Sequence, residues 1–570
     1  MSLAAKPMEV VQIVDKRVDF RPHALPVREG CGNVAYLQAT ATSLGSSVQF
    51  DVTPPNPTSN VLSRDMLIAN TVTLNIAVPV GGAASLIKIG SYDAPRAFPW
   101  SSCVDAMTLR LNGQSFSVNQ WSEIGHVLRR CNPKSAFYKL GNKAPWFPDQ
   151  GSDYPALLTS TRNVLSAAAA GDYDMYRGAY TRVVASNVTP TTATVTITTF
   201  EPVCLDPIMY ASDQAGIPYV QSFGLTFNMG NYARMLSHAF DATTADFTNA
   251  QVSAVHNSST MYYQSIAQPL LGDKMPAQIS FPFHAVNTNV SPAQAVVQVA
   301  PAAGPIAAGT NLTSPVITYN TIPNRIYVFA APAAAARQAS TSDFTLQYTG
   351  GLQVQWGSRS GLMTGVPRET LYDHAREAGV DLPFEQWDGR YRLNAVGAAV
   401  GAAPAIVGGS GSILCLRPAV HWPLEVGEAQ GSSGSYQFQV SASFANQCGV
   451  NFPACSLYVV AITGGVITMD SGFGCRVEVG ALNLSDVLDA RPERISEAEA
   501  TGSGFFDVIR SAIPMLKKVG KLAHTGLSAA NSAGLLGDGA MAGGSANFLG
   551  GSALSGGKML SQKSLAARLR

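Results

Sequence analysis

Several groupings in this sequence have residue types that catalysis or ligand binding would use, and each lacks a partner that the chemistry requires. Gly551 to Lys558 approaches a phosphate-cradling loop, but the lysine stands one place late and Met559 occupies the position of the Mg²⁺-binding hydroxyl. Gly537, Gly539 and Ala542 imitate a dinucleotide fingerprint, yet no strand leads into them and the surroundings are Gly/Ala repeat. The eight histidines show neither His-x-x-x-His nor His-Glu-x-x-His spacing, so zinc chemistry has no ligand set. His126 and His374 fall in two helix-like segments and read as packed or surface side chains rather than as ligands or bases. Asp206 and Asp470 adjoin turns, where a carboxylate caps backbone N–H groups. The expectation is a protein that is not an enzyme, with no catalytic residues, no cofactor and no metal.

Eight cysteines (Cys31, Cys103, Cys131, Cys204, Cys415, Cys448, Cys455, Cys475) are scattered without a Cys-x-x-Cys pair, as expected of buried thiols in a reducing compartment. Cys448 and Cys455 are spaced to close a loop, although spacing alone does not set bonding distance. The opening MSLAAKPMEVVQIVDKR has no apolar core of signal-peptide type, so secretion by that route is not expected.

The most legible element runs from Leu109 to Asn132. Leu109, Leu111, Phe116 and Val118 are strand-like around Asn112-Gly113, the dipeptide best suited to a tight hairpin. Trp121, Ile124, Val127 and Leu128 then repeat at helical spacing, and Asn132-Pro133 stops the helix. A similar grammar returns at Leu352 to Gly379: LQVQW alternates, Gly357 to Gly365 turns the chain, and Pro367 to Ala378 supplies a helix with Pro367 suited to its first turn. Strand-then-helix units thus stand at corresponding places in two halves of a strand-rich chain.

At 570 residues the chain should hold two or more domains. Charged residues are only 13% of it, about half the ~25% usual for soluble domains. No apolar run reaches the roughly 18 residues of a membrane span, so surface covered by further copies of the chain is the better explanation. Strand signals start at Val48 and continue through Val72 to Val78, Thr192 to Phe200, Phe223 to Phe227, Arg325 to Ala330, Ser435 to Phe444 and Leu457 to Met469, where Gly464-Gly465 reads as a hairpin turn. Residues 133–180 read as a long loop rich in aromatics, and 287–314 as an exposed insertion.

The expected fold is all-β: two tandem jelly-roll β-sandwiches with short helices in connections, followed by an amphipathic helix and flexible tail. The expected divisions are an N-terminal arm (1–45), a first sandwich (46–215), a second (216–488) and a C-terminal region (489–570). The series VQFDVTPPNP, RDMLIANTVTLNI, AFPWSSCVDAMTLRLNG, EPVCLDP, TIPNRIYVFA, LQVQW with its helix, GSILCLRP and LYVVAITGGVITM resembles the double jelly-roll major capsid proteins of icosahedral viruses, over roughly Val48 to Leu484. That resemblance implies a structural virion protein whose partner is itself, first as a trimeric, pseudo-hexagonal capsomer and then as a shell, with other capsid proteins beside it. Two alternatives are a single jelly-roll shell domain with a protruding β-domain, and a non-viral carbohydrate-binding sandwich whose support is Trp146 and Phe147. The first differs in that its second β-unit would not repeat the topology of the first. Some capsid proteins cleave their own tails at an Asn-Ala bond; Asn531-Ser532 and Asn547-Phe548 do not supply one.

The C-terminal region differs in composition. Phe505, Ile509, Ala512, Leu516 and Val519 line one helical face, with Phe506 and Ile513 beside it, while Arg510, Lys517, Lys518 and Lys521 are cations on the polar side; Pro514 would kink this helix. From Gly504 onward eight basic residues stand against Asp507 and Asp538, a net of about +6 in a chain of net +1. Viral nucleic acid or a host membrane is the expected partner of this segment.

Overall fold

The computed structural model describes residues 9–11, 33–63, 66–77, 93–95, 98–131, 182–186, 192–203, 205, 216–238, 251–267, 277–297, 309–333, 346–380, 384–388, 411–425, 428–446, 454–480 and 492–494. Contacts divide the chain into two units. In one of them, Met1–Ile13 with Ala490–Arg570, Glu9–Val11 pairs antiparallel with Pro492–Arg494. The other, Val14–Asp489, contains both sandwiches.

The principal strands of the first sandwich are β1 (Asn33–Thr40), β2 (Ser47–Val52), β3 (Leu67–Ala77), β4 (Val104–Leu111), β5 (Gln114–Asn119), β6 (Thr192–Pro202), β7 (Phe223–Met229) and β8 (Gln251–Ala267). They form one sheet in the order β1-β8-β3-β6 and another in the order β2-β7-β4-β5, all antiparallel. Those of the second are β9 (Gln278–Val290), β10 (Thr310–Thr313), β11 (Arg325–Pro332), β12 (Leu346–Trp356), β13 (Arg359–Leu362), β14 (Leu414–Leu416), β15 (Ser433–Asn446) and β16 (Cys455–Asp470). Their sheets run β9-β16-β11-β14 and β10-β15-β12-β13. Adding eight to each strand number of the first sandwich reproduces the second. A repeat that complete excludes an unrelated protruding domain.

The hairpin-and-helix signature is what the two halves share most visibly. β4 and β5 are joined by Asn112 (φ 45°) and Gly113 (φ 85°), the positive-φ pair that a two-residue hairpin requires. Asn112 also anchors the turn, since its Oδ1 accepts from the N–H groups of Gln221 and Ser222 at 2.8 and 3.1 Å. Helix α1 (Trp121–Cys131) follows, burying Trp121, Ile124, Val127 and Leu128. In the second half Gly357 (φ 57°) and Ser358 join β12 to β13, and α2 (Arg368–Glu377) follows with Leu371 and Ala375 buried. The segment read as a turn from Gly357 to Gly365 therefore contains a strand, and Pro367 caps α2 rather than entering its first turn.

Three further expectations are corrected. The division at 215/216 does not follow the sheets, because β7 pairs with β2 and β4, and β8 pairs with β1 and β3. Alternation in FGLTFNM fixes that one face is buried but not which distant strands it joins, and a jelly roll returns its last strands to its first. The arm assigned to 1–45 includes β1, an edge strand whose half-exposed pattern is too weak to read as a buried face. Gly464-Gly465 is not a turn: β16 runs straight through it, pairing with His284 and Phe283 on one side and, at Gly465, with Val479 of β17 (Cys475–Val479) on the other. Glycine is needed there for close approach, since a Cβ on Gly465 would lie 2.5 Å from the Phe283 ring and 2.7 Å from the Glu478 carbonyl. Gly465→Val is expected to cost at least ~1–3 kcal/mol through overpacking, read as a lower urea midpoint; an unchanged midpoint would refute this account of the strand.

Candidate assembly surfaces

Charge is sparse in this chain, so the charged groups that are buried mark fixed points. The turn Tyr232–Met235 carries Arg234 into the base of α1. Its Nη1 lies 2.7 Å from Asp105 Oδ1, 3.0 Å from Ser122 Oγ and 3.9 Å from Oε1 of Glu123, whose residue is 1% exposed. Glu201 on β6, equally buried, accepts from the Trp100 N–H (2.7 Å), the Ser101 N–H (2.9 Å) and the Ser101 hydroxyl (2.5 Å), tying the strand to the segment before β4. In the second sandwich Arg368 of α2 pairs with Asp388, whose Oδ1 also accepts from Gln347 Nε2 at 3.0 Å. The Trp387 indole beside it donates to the Ile413 carbonyl at 2.8 Å. These clusters tie each carboxylate to backbone N–H groups, a guanidinium or a side-chain amide. They hold helices against sheets, and sequence reasoning missed them because their partners are far apart in the chain.

His374 of α2 and His421 stack with ring centroids 4.0 Å apart. His421 Nδ1 accepts from the Arg417 N–H at 3.1 Å, and Arg417 in turn pairs with Glu377 at 2.7 Å. Burial first, then His374 and Arg417, pushes His421 down to about 4. The side chain of His126 lies outside the described residues, as does Asp206. Asp470 has the turn role expected of it, its Oδ1 accepting from the Gly472 and Gly474 N–H groups at 2.9 Å each. Cys103, Cys415, Cys455 and Cys475 are buried, and Cys448 lies outside the described residues; burial pushes Cys415 up to about 12 and Cys475 to about 11. Among the described residues, no group of three His, Cys, Asp or Glu is placed to hold a metal ion.

The seam between the sandwiches is apolar. Phe116 of β5 meets Phe283 of β9 edge to face, with centroids 5.6 Å apart. A cavity of about 190 Å³ beside them is lined chiefly by Phe116, Val118, Trp121, Leu128, Phe283 and Val477. With few convergent polar groups it has the character of a packing void. The C-terminal residues expected to face genome or membrane (Phe505, Phe506, Ile509, Arg510, Ile513, Leu516, Lys517, Lys518, Lys521) lie outside the described residues, as do Trp146 and Phe147.

Two sandwiches of identical strand order, each with a helix after its fifth strand and joined flank to flank, define a double jelly roll. Two family models match consecutive parts of the chain: the Sputnik virophage major capsid protein 1st domain over residues 8–270, and the major capsid protein V20 C-terminal domain over 293–465. Like the proteins behind both models, the chain is a double jelly-roll major capsid protein, and its function is that of a structural shell protein. A curated relative named "Putative capsid protein V20", from the Sputnik virophage, is 27% identical over 547 residues, spanning 92% of this chain and 88% of the relative. Among solved structures, the Sputnik virophage by cryo-EM matches with a TM-score of 0.68 at 23% identity, over 90% of this chain and 99% of that one. The mavirus major capsid protein crystal structure matches with a TM-score of 0.61 at 14% identity, over 86% and 100%. The first model ends at residue 270, just past β8, and the second begins at 293, just past β9.

Proposed function

We propose that the chain forms homotrimeric capsomers that tile an icosahedral shell around a viral genome, assembled in a reducing compartment of the host cell. The observation that carries this reading is the repeated topology: two like sandwiches side by side make each subunit a pair of equivalent building blocks, so that three copies present six around a closed ring. The low charge fraction, 13%, agrees with surface that is covered by neighbours. The basic segment from Gly504 faces the enclosed nucleic acid, where its net charge of about +6 meets phosphates.

Mass photometry and electron microscopy of the purified full-length chain test this reading. Trimers or closed spherical particles are expected, and a monomer at every salt and protein concentration would refute it. A chain ending at Leu484 should still assemble while losing salt-sensitive binding to nucleic acid. Release of vesicle contents by a Gly504–Leu527 peptide would instead assign the segment to a membrane.

A further inference from the structure

The sheet β1-β8-β3-β6 has one face in the core and one face outward. On β3 and β6 the inward positions, among them Val72, Leu74, Val195 and Ile197, are fully buried, while the alternate positions are half-buried or exposed. Strand register carries this outward set across all four strands: Thr73 opposes Val255 and Thr196, Leu67 opposes Tyr262, and Tyr262 opposes Gln38. None of the outward positions in register on these strands is Asp, Glu, Lys or Arg. The first charged residue in register is Arg182, opposite Thr198 on the short strand beyond β6. An ordinary solvated sheet face of that extent would carry several charges, since about a quarter of residues in soluble proteins are charged.

Polar groups at the centre of this face, on β3, β6 and the adjoining bulge of β8, bond to one another. Thr73 and Thr196 hydroxyls lie 3.1 Å apart, Thr71 and Thr198 3.4 Å, Asn257 Nδ2 donates to Thr73 at 2.7 Å, and Thr194 donates to Asn75 at 3.2 Å. Donors and acceptors satisfied laterally can be covered with little desolvation cost. Across one end runs a diagonal of apolar rings. Tyr36 is 78% exposed, and Tyr262 (40%) stacks on Phe200 (37%) at 6.4 Å. Exposed aromatics within an uncharged patch are the composition of an interface core.

The other half of the chain supplies the control. β11 stands where β3 stands, eight strands on, and is buried on both faces from Ile326 to Pro332. The second sandwich thus covers both faces of the strand at this place in the sheet, and the first does not. We infer that the outward face of β1-β8-β3-β6 is an intersubunit contact, occupied by a second copy of this chain in the assembled capsomer or shell. Four strands ~4.8 Å apart and about eleven residues long at ~3.4 Å each span roughly 700 Å², close to the ~800 Å² per partner of a stable interface. A face without charge offers nothing for nucleic acid or an anionic membrane to select, and in a shell the neighbour most often available is another copy. The inference rests on the shell reading above and adds which surface makes the contact.

The test uses purified chain alone, so that any partner is a second copy. Thr196→Arg and Tyr262→Glu are each expected to raise the concentration for half-assembly at least tenfold while keeping the wild-type near-ultraviolet circular dichroism. As a control that does not depend on a charged variant folding, a second measurement uses Ser253→Cys, an exposed outward position on β8. Its maleimide labelling is expected to be at least tenfold slower in assembled material than in dissociated chain. If wild type assembles and labelling is equally fast in both states, or both charged variants assemble normally, this surface assignment is wrong and the shell reading stands. If wild type never assembles, both fall.

Discussion

Arg234→Met should lower the stability of the chain by ~3–5 kcal/mol, the usual cost of leaving a buried charge without its partner. Arg234 is the cation beside Glu123, a carboxylate that is 1% exposed at the start of α1 and lies 3.9 Å from the guanidinium. The same guanidinium holds Asp105 and Ser122 at 2.7 and 3.0 Å, so its loss also releases the contact between α1 and β4. Glu123→Gln in the Arg234→Met background should recover part of the loss, because an amide is far cheaper to bury than an unpaired carboxylate. Urea titrations of the four members of the cycle measure this coupling directly. Equal losses in the single and double variants would show that Arg234 acts through packing alone. Since α1 faces the seam with the second sandwich through Trp121 and Leu128, assembly is expected to fail along with stability.

The parts of this fold that were legible from sequence are those specified locally. Asn112-Gly113 requires positive φ at two adjacent positions, and the helical spacing from Trp121 to Leu128 admits one reading, so both halves of the repeat announced themselves. Residues whose partners lie far along the chain did not. FGLTFNM has the same alternation whether it opens a second sandwich or closes the first, and only its pairing with β2 and β4 decides the matter. Gly464-Gly465 misled because glycine serves turns and close approaches alike; the Phe283 ring that demands it comes from a strand nearly two hundred residues earlier. Arg234 and Glu201 carried a fainter signal. In a chain with 13% charged residues, a charge set inside an apolar stretch is unusual enough to suggest a buried pair, although the partner cannot be named from spacing. The uncharged outward face was hidden for the same reason, because it exists only once register aligns β1, β8, β3 and β6.

Mild acid should destabilise the folded chain. Three histidines are held well below their ordinary value of 6.5, each at about 4: His256 and His421 mainly by burial, and His284 by burial reinforced by Arg325. At His256 burial outweighs the Ser258 backbone, whose hydrogen bond acts in the opposite direction. His421 faces His374 and the Arg417–Glu377 pair. At pH 7.5 these rings are neutral in folded and unfolded chain alike and contribute no pH dependence. Between about 6.5 and 4 the unfolded chain takes up protons that the folded chain refuses, so stability falls with pH across that window and levels off below it. The half-exposed His421 should contribute less than its shift suggests, because solvent screens it. Urea unfolding at pH 7.5, 6.5, 5.5 and 5.0 measures the slope, which should correspond to an uptake of more than one proton and at most three. His284→Asn and His421→Gln should each flatten the curve, whereas a flat wild-type curve over that range would refute the assignment. The three rings occupy separate supports of the molecule: His284 lies in the seam strand β9, His421 beneath α2, and His256 at a bulge in β8 behind the outward face. Acid therefore acts on the seam, the helix and the intersubunit sheet together, and particles are expected to come apart at a higher pH than the one at which either sandwich unfolds.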